Sequence, residues 1–271
     1  MAAKLLLVGC GKMGEALLGG WRQAGFAADE ILAVEPDSQK AAALGERFNV
    51  AVVGAAGAIA AEVRPEGVIL AVKPQALDAV VPEYRRYAAT GSVFLSIAAG
   101  RTVAGLRRLI GDDAAIVRAM PNTPAAVGLG ATVACAADTV SPEQRRLCEQ
   151  LLSAVGSFHW IDDEALLDAV TAVSGSGPAY VFLLAEHLAR AGAAAGLPAE
   201  LAERLARDTV AGAGALLRQA PETAAELRRN VTSPGGTTAA ALAVLMAEDG
   251  LLPVLTRAVR AATERSRQLA G

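Results

Sequence analysis

Leu5-Leu6-Leu7-Val8-Gly9-Cys10-Gly11-Lys12-Met13-Gly14-Glu15-Ala16-Leu17-Leu18 is the stretch that decides the fold. Four apolar residues in unbroken succession suit a strand buried on both faces, because a strand with one face in water alternates. Glycines at 9, 11 and 14 follow at once, and Met13 opens a helical pattern that reaches residue 24. A G-x-G-x-x-G pattern recurs by chance, but between a buried-type strand and a helix it has a mechanism. The glycines allow a tight turn and close approach of backbone to a pyrophosphate, and the helix start offers unpaired N–H groups to the negative charge. Gly9, Cys10, Gly11, Lys12, Met13 and Gly14 are therefore expected to form a dinucleotide-binding turn, a plain glycine-rich strand-to-helix turn being the alternative. Lys12 reads equally as a loop-tip charge or as a phosphate-steering group.

Outward from this turn, apolar runs at residues 5–8, 31–34, 50–53, 68–72, 93–97 and 115–119 alternate with helical stretches at 13–24, 38–48, 56–63, 75–88 and 103–110. Strand, helix, strand in that rhythm is a doubly wound α/β domain, a Rossmann fold with a mainly parallel sheet. Such sheets bind ligands beyond the carboxyl ends of their strands, so the residues that follow each run are candidates. Glu35, 21 residues after Gly14, ends the second run in Ala33-Val34-Glu35-Pro36-Asp37. An acidic residue there accepts from the adenosine ribose and repels a 2′-phosphate; a solvent-facing glutamate in a proline turn is the alternative. On the first reading the cofactor is NADH or NADPH, with NADH at least as good. Ala71-Val72-Lys73-Pro74 places a lysine at the next edge, either holding the cofactor or snorkelling into water. The small residues Ala98, Ala99 and Gly100 after Ser96-Ile97 let a flat ring approach the backbone. Met120-Pro121-Asn122-Thr123-Pro124 is a stiff loop suited to present amide and hydroxyl groups towards a nicotinamide; an ordinary turn is the alternative.

Past residue 119 the rhythm changes. Residues 127–135 and 157–161 read as further strands around a helix at 142–155, which opens on Ser141-Pro142 as cap and first turn. From Asp162 onward the sequence reads as helices alone, at 166–173, 179–195, 199–217, 223–230, 237–247 and 251–269. The expected organisation is a dinucleotide-binding domain over residues 1–161 and an all-α domain over 162–271.

Composition narrows the partners. A net charge of −3 gives no general attraction for nucleic acid or an anionic membrane. Cys10, Cys135 and Cys148 form neither a paired nor a metal-ligating pattern, and two histidines exclude a histidine-rich metal site. No metal is expected. The N-terminus does not read as a signal peptide, and no apolar run reaches spanning length without a charge or a breaker. A soluble, cytoplasmic protein is the expectation.

Two hydroxyl-rich loops interrupt the otherwise apolar helical half. Thr171-Ala172-Val173-Ser174-Gly175-Ser176-Gly177-Pro178-Ala179-Tyr180 is expected to break one helix and start another, with Pro178 in a first turn. Asn230-Val231-Thr232-Ser233-Pro234-Gly235-Gly236-Thr237-Thr238 leads into an alanine-rich helix. A Gly-Gly bend entering a helix with hydroxyls at its mouth makes an anion cradle without a basic side chain; an ordinary capped loop is the alternative.

On these residues, and most specifically on 230–238, the chain resembles the pyrroline-5-carboxylate reductase family over essentially its whole length. The resemblance implies an N-terminal Rossmann domain and a helical C-terminal domain that intertwines with a partner subunit. It implies reduction of the cyclic imine Δ1-pyrroline-5-carboxylate to L-proline, the last step of proline biosynthesis. It further implies that the loop matching Ser233, Gly235, Gly236, Thr237 and Thr238 holds the substrate carboxylate, with the Thr238 hydroxyl near the ring nitrogen. Met120, Asn122, Thr171 and Ser176 then lie near the nicotinamide end of the pocket. Two positions depart from the family: Ala56 stands where members often carry Asn, and Glu35 where NADPH-preferring members tend to polar or basic groups.

The chemistry needs little from the protein beyond orientation and field, since a protonated imine is already electrophilic and the cofactor supplies the hydride. A Thr238 hydroxyl or an ordered water would pass the proton, and no side-chain general acid is expected. A β-hydroxyacid dehydrogenase, the rival enzyme, needs a lysine in its helical domain, and this chain has none after Lys73. A non-catalytic dinucleotide sensor would have no use for residues 233–238. The helices carry apolar residues on more than one face, such as Val181, Phe182, Leu183, Leu184 and Leu188 in one and Leu201, Leu205, Val210, Leu216 and Leu217 in the next. Burial on several sides follows, so a homodimer at least is expected, with larger rings open by family analogy.

Overall fold

The computed structural model describes residues 3–269. They form two compact units, residues 3–175 with 262–269, and Ser176–Ala261.

The first unit is built on eight strands: β1 (Leu5–Val8), β2 (Ile31–Val34), β3 (Ala51–Val53), β4 (Gly67–Leu70), β5 (Val93–Ser96), β6 (Ala115–Met120), β7 (Gly130–Ala136) and β8 (Gly156–Ile161). Their order is β3-β2-β1-β4-β5-β6-β7-β8, parallel throughout except for β6 against β7. Consecutive side chains point to opposite faces of a strand, and both faces are buried here. Leu5, Leu7, Ile31, Ala33, Ile69 and Val117 join one core with Leu17, Leu18 and Trp21 of α1 (Lys12–Gln23). Leu6, Val8, Leu32, Val34, Val68 and Phe94 join the other. That is why these strands read as unbroken apolar runs. Because β1 lies between β2 and β4, the crossovers on its two sides diverge and open a crevice beyond its carboxyl end.

The crossovers are less regular than the sequence suggests. After β2 comes α2 (Ser38–Phe48), as expected. The expected helix at 56–63 is a single 3-10 turn, Ala56–Ala58, although Ala56, Ile59 and Val63 are buried at helical spacing. Gly57 lies in that turn, and a helix-interior glycine costs roughly 1 kcal/mol. The expected helix at 75–88 is only one turn of α-helix, α3 (Leu77–Val80), continued as 3-10 from Val81 to Thr90. Pro82 lacks the donor an α-helix needs there, and Gly91, at φ 82°, ends the run. Beyond β5, α4 (Val103–Ile110) is capped by Thr102. β7 runs antiparallel because the only segment between it and β6 is a 3-10 run at Thr123–Val127, too short for a crossover helix. α5 (Pro142–Ser153) opens on the Ser141 cap.

The compact units divide at Gly175, beyond the boundary expected at residue 162. The residues between belong with the sheet: Leu167, in α6 (Leu167–Val170), and Ala172 are fully buried, and Arg118 Nη1 of β6 pairs with Glu164 Oε1 at 2.9 Å. Near the other end of the chain, Ser266 Oγ donates to Asp168 Oδ1 at 2.6 Å.

α7 (Gly177–Ala194) starts where expected, behind an N-cap at Ser176 and with Pro178 in its first turn, but no loop separates it from the segment before it. Thr171–Gly175 is a π turn, and the helical run continues over Glu164–Ala194. A wide turn absorbs the extra residue that a break would otherwise release. This run is long and apolar enough to cross a membrane by length and composition, in contrast to the sequence reading.

The second unit continues through α8 (Ala199–Gln219), α9 (Ala224–Asn230), α10 (Thr237–Leu245) and the first part of α11 (Leu251–Leu269). Among its described apolar residues only Ala202 and Ala206 are buried, whereas Phe182 is 67% exposed and Val244 72%.

Candidate active site

Each glycine of the first turn has its own steric reason. Gly9 sits at φ 86°, with Ala71 O only 3.0 Å from where a Cβ would be, so the β1 turn passes directly over the end of β4. A Cβ on Gly14 would overlap the carbonyl oxygen of Gly9, so α1 can seat against that turn only without a side chain. A Cβ on Gly11 would meet nothing within 4 Å. Gly11 is the N-cap of α1 and supplies no side-chain acceptor, so the first N–H groups of the helix are left for an outside acceptor. An uncapped helix start behind such a turn can accept an anion such as a pyrophosphate.

The neighbouring candidates divide between backbone and side-chain roles. Cys10 is buried, its thiol pushed up to about 12 by burial, so it contributes main chain rather than a nucleophile. Lys12 is exposed as the first residue of α1, and Met13 is half-buried behind it. Ala71, Val72, Lys73 and Pro74 follow β4, with Ala71 N donating to Val8 O at 2.8 Å and Lys73 exposed. Ala98, Ala99 and Gly100 follow β5, with Gly100 at φ 69°.

At the end of β2, Glu35 is buried and held by its own loop. Its Oε1 accepts from Asp37 N at 3.2 Å, and its Oε2 lies 3.1 Å from Lys40 Nζ. Pro36 is exposed beside it. Sequence reasoning singled out Glu35 and overlooked Lys40. A pair five residues apart across a proline turn has no periodic signature, though the Asp37 cap that begins α2 was a clue to the geometry.

Asn122 is also used differently from expectation. Its Oδ1 accepts from Ala131 N at 2.8 Å, and its Nδ2 donates to Ser174 O at 3.2 Å and Ser174 Oγ at 3.3 Å. The carboxamide thus ties the β6 loop to β7 and to the π turn. Met120 packs on the same turn, where a Cβ on Gly175 would overlap its methyl. Thr171 Oγ1 donates to Leu167 O at 2.7 Å within the helical run. Met120 and Thr171 are brought together beside Gly175, and Asn122 is tied to the same turn through Ser174, which is absent from the expected set.

In the second unit, Gly235 at φ 69° reverses the chain, and Gly236 N donates to Ser233 O at 3.1 Å. Gly236 then serves as the N-cap of α10 with no side-chain cap. The first N–H groups of that helix are left for an outside acceptor. Ser233, Gly235 and Thr237 are exposed and Thr238 is half-buried. Ser176 sits at the N-cap position of α7, also without a side-chain cap.

A doubly wound sheet with this first turn defines a dinucleotide-binding oxidoreductase. Residues 4–100 match the family described as NADP oxidoreductase, coenzyme F420-dependent, and residues 164–269 match the pyrroline-5-carboxylate reductase dimerisation family. The chain is 41% identical to pyrroline-5-carboxylate reductase of Pseudomonas aeruginosa, over 98% of this chain and 97% of that protein. Among solved structures, a pyrroline-5-carboxylate reductase from Coxiella burnetii is 33% identical with a TM-score of 0.93, each chain covered in full. A Plasmodium falciparum pyrroline carboxylate reductase with NADP bound is 28% identical with a TM-score of 0.83, over 99% of this chain and 98% of that one. The chain belongs to the pyrroline-5-carboxylate reductase family.

Proposed function

We propose that this chain reduces the cyclic imine Δ1-pyrroline-5-carboxylate to L-proline, with NADH or NADPH supplying the hydride. The observation that carries the residue assignment is the uncapped start of α10 behind the Ser233–Gly236 bend. A small anionic substrate needs its carboxylate neutralised, and these N–H groups do so without a cation. Their dipole contributes roughly 0.3–1 kcal/mol, and each charge-assisted hydrogen bond about 1.5–3 kcal/mol. Ser233, Gly235, Gly236 and Thr237 hold the carboxylate, with Ser176 completing the substrate set. The Thr238 hydroxyl hydrogen-bonds the ring nitrogen, accepting from the protonated imine and steadying the amine that forms.

In the first unit, Gly9 to Gly14 cradle the pyrophosphate, and Glu35 with Pro36 receives the adenosine ribose. Residues 71–74 and 98–100 line the path of the dinucleotide. Met120 and Thr171 flank the nicotinamide, and Asn122 acts by holding the turn that carries them. The segment 162–271 dimerises, a second copy covering the apolar faces of α7 and α8 and the membrane-length run; assembly into larger rings, a cytoplasmic location and the absence of nucleic-acid or membrane partners complete the proposal. The test is oxidation of NADH and of NADPH by the purified protein with Δ1-pyrroline-5-carboxylate. Turnover with either supports the reading, and none with folded protein refutes it.

A further inference from the structure

Beyond β2 the chain runs Glu35-Pro36-Asp37-Ser38-Gln39-Lys40 into α2. Asp37 caps that helix, its Oδ1 accepting from Gln39 N and Lys40 N at 3.0 Å each. The cap fixes the direction in which the helix leaves, and so brings Lys40 Nζ back to 3.1 Å from Glu35 Oε2. Glu35 Oε1 is meanwhile engaged by Asp37 N. The Glu35 side chain is 11% exposed and that of Lys40 38%, so a solute arriving at the end of β2 meets the ammonium more readily than the carboxylate.

We propose that Lys40 is a specificity-determining residue of the dinucleotide site, which balances Glu35 so that both a 2′-hydroxyl and a 2′-phosphate are accepted. This rests on the assignment of the first unit to a dinucleotide. A lone acidic residue at this position selects against a 2′-phosphate, because two anions meet in a partly desolvated crevice. With Lys40 beside it, the arriving phosphate finds a cation to pair with and the repulsion is offset. A ribose hydroxyl needs only an acceptor. An ionised carboxylate offers about four acceptor sites, and Asp37 N and Lys40 leave sites for it. The two cofactors are then read by the two members of one ion pair.

The test is equilibrium binding without turnover. The full-length protein and its variants are titrated calorimetrically with NAD+ and with NADP+, which differ only in the 2′-phosphate. Lys40→Met is expected to lower the affinity for NADP+ relative to NAD+ about tenfold or more, the size of one lost charge-assisted hydrogen bond. Lys40→Arg should retain the wild-type ratio, and Glu35→Gln should shift it towards NADP+. An unchanged ratio in Lys40→Met, with both dinucleotides still binding the wild type, overturns this proposal alone. Failure of the wild type to bind either dinucleotide overturns the assignment of the site and this proposal with it.

Discussion

Replacing Gly11 and Gly14 by alanine, one at a time, separates binding from folding within a single turn. At Gly11 the added methyl meets no atom within 4 Å, and its backbone, at φ −58° and ψ −177°, suits any residue. Alanine is a poorer N-cap than glycine but also restricts the unfolded chain. These two effects oppose each other and are each about 1 kcal/mol or less, so the melting temperature should stay within about 3 °C of wild type. The methyl nonetheless projects into the open space beside the turn, where on the proposed reading the dinucleotide approaches. Losing one or two charge-assisted hydrogen bonds to a pyrophosphate weakens dinucleotide binding about tenfold to a hundredfold or more. At Gly14 the methyl overlaps Gly9 O and also lies 3.3 Å from Gly9 C and 3.4 Å from Ala71 Cβ. Backbone there must move, which costs about 1–3 kcal/mol as overpacking does elsewhere, or roughly 2–10 °C of melting temperature for a chain of this size. Binding should fall as well. Calorimetric titration with NAD+ and NADP+ and thermal denaturation on the same samples give both numbers. Wild-type affinity in Gly11→Ala, or wild-type stability in Gly14→Ala, would refute the division of labour drawn here.

Thr238→Ala should lower kcat/KM for the imine by about one to two decades, the loss of one hydrogen bond to a charged group, while dinucleotide affinity holds; equal loss of both would remove the role given to the α10 loop. Asn122→Ala breaks three hydrogen bonds at a 9% exposed residue and leaves Ala131 N without that acceptor. It should cost about 1–3 kcal/mol, seen as a melting temperature roughly 2–10 °C lower, and an unchanged melting curve would show that the tie is unimportant. Sedimentation at micromolar concentration should give a dimer or a larger assembly, because the second unit buries almost none of its own apolar side chains; a monomer contradicts this.

The parts of the fold that were legible in the sequence are those where one physical demand acts alone. Residues 5–8 and 31–34 had to be apolar throughout because both sheet faces are covered, and Gly9 and Gly14 had to lack a side chain where the turn crosses the end of β4. The crossover after β4 was misread because Leu77, Val81 and Tyr84 keep helical spacing. Pro82 tightens the run to 3-10 all the same, and a hydrophobic period does not distinguish the two. The Gly175–Pro178 stretch shows that a new α-helix starts there, as glycine and proline punctuation implies, but not that a π turn keeps the chain helical up to it. At the candidate site, residue types singled out positions at the strand ends but not which of their atoms are already engaged. Asn122 commits its amide to Ser174 and Ala131, and each oxygen of Glu35 already has one partner in its own loop. Such pairings depend on loop geometry, which leaves no periodic trace.

The near absence of a core within Ser176–Ala261 makes protein abundance a folding parameter. In the proposed dimer the helical half completes its interior with another copy and matures at a rate set by encounters, so halving expression should slow assembly more than proportionally. Chains still waiting carry Phe182, Val244 and their neighbours uncovered, and these are surfaces that chaperones and proteases recognise. Because the helical unit, Ser176–Ala261, follows most of the sheet unit in translation, the wait falls late in synthesis and after it. Cellular activity should then fall away below a threshold of synthesis instead of tracking gene dosage in a straight line.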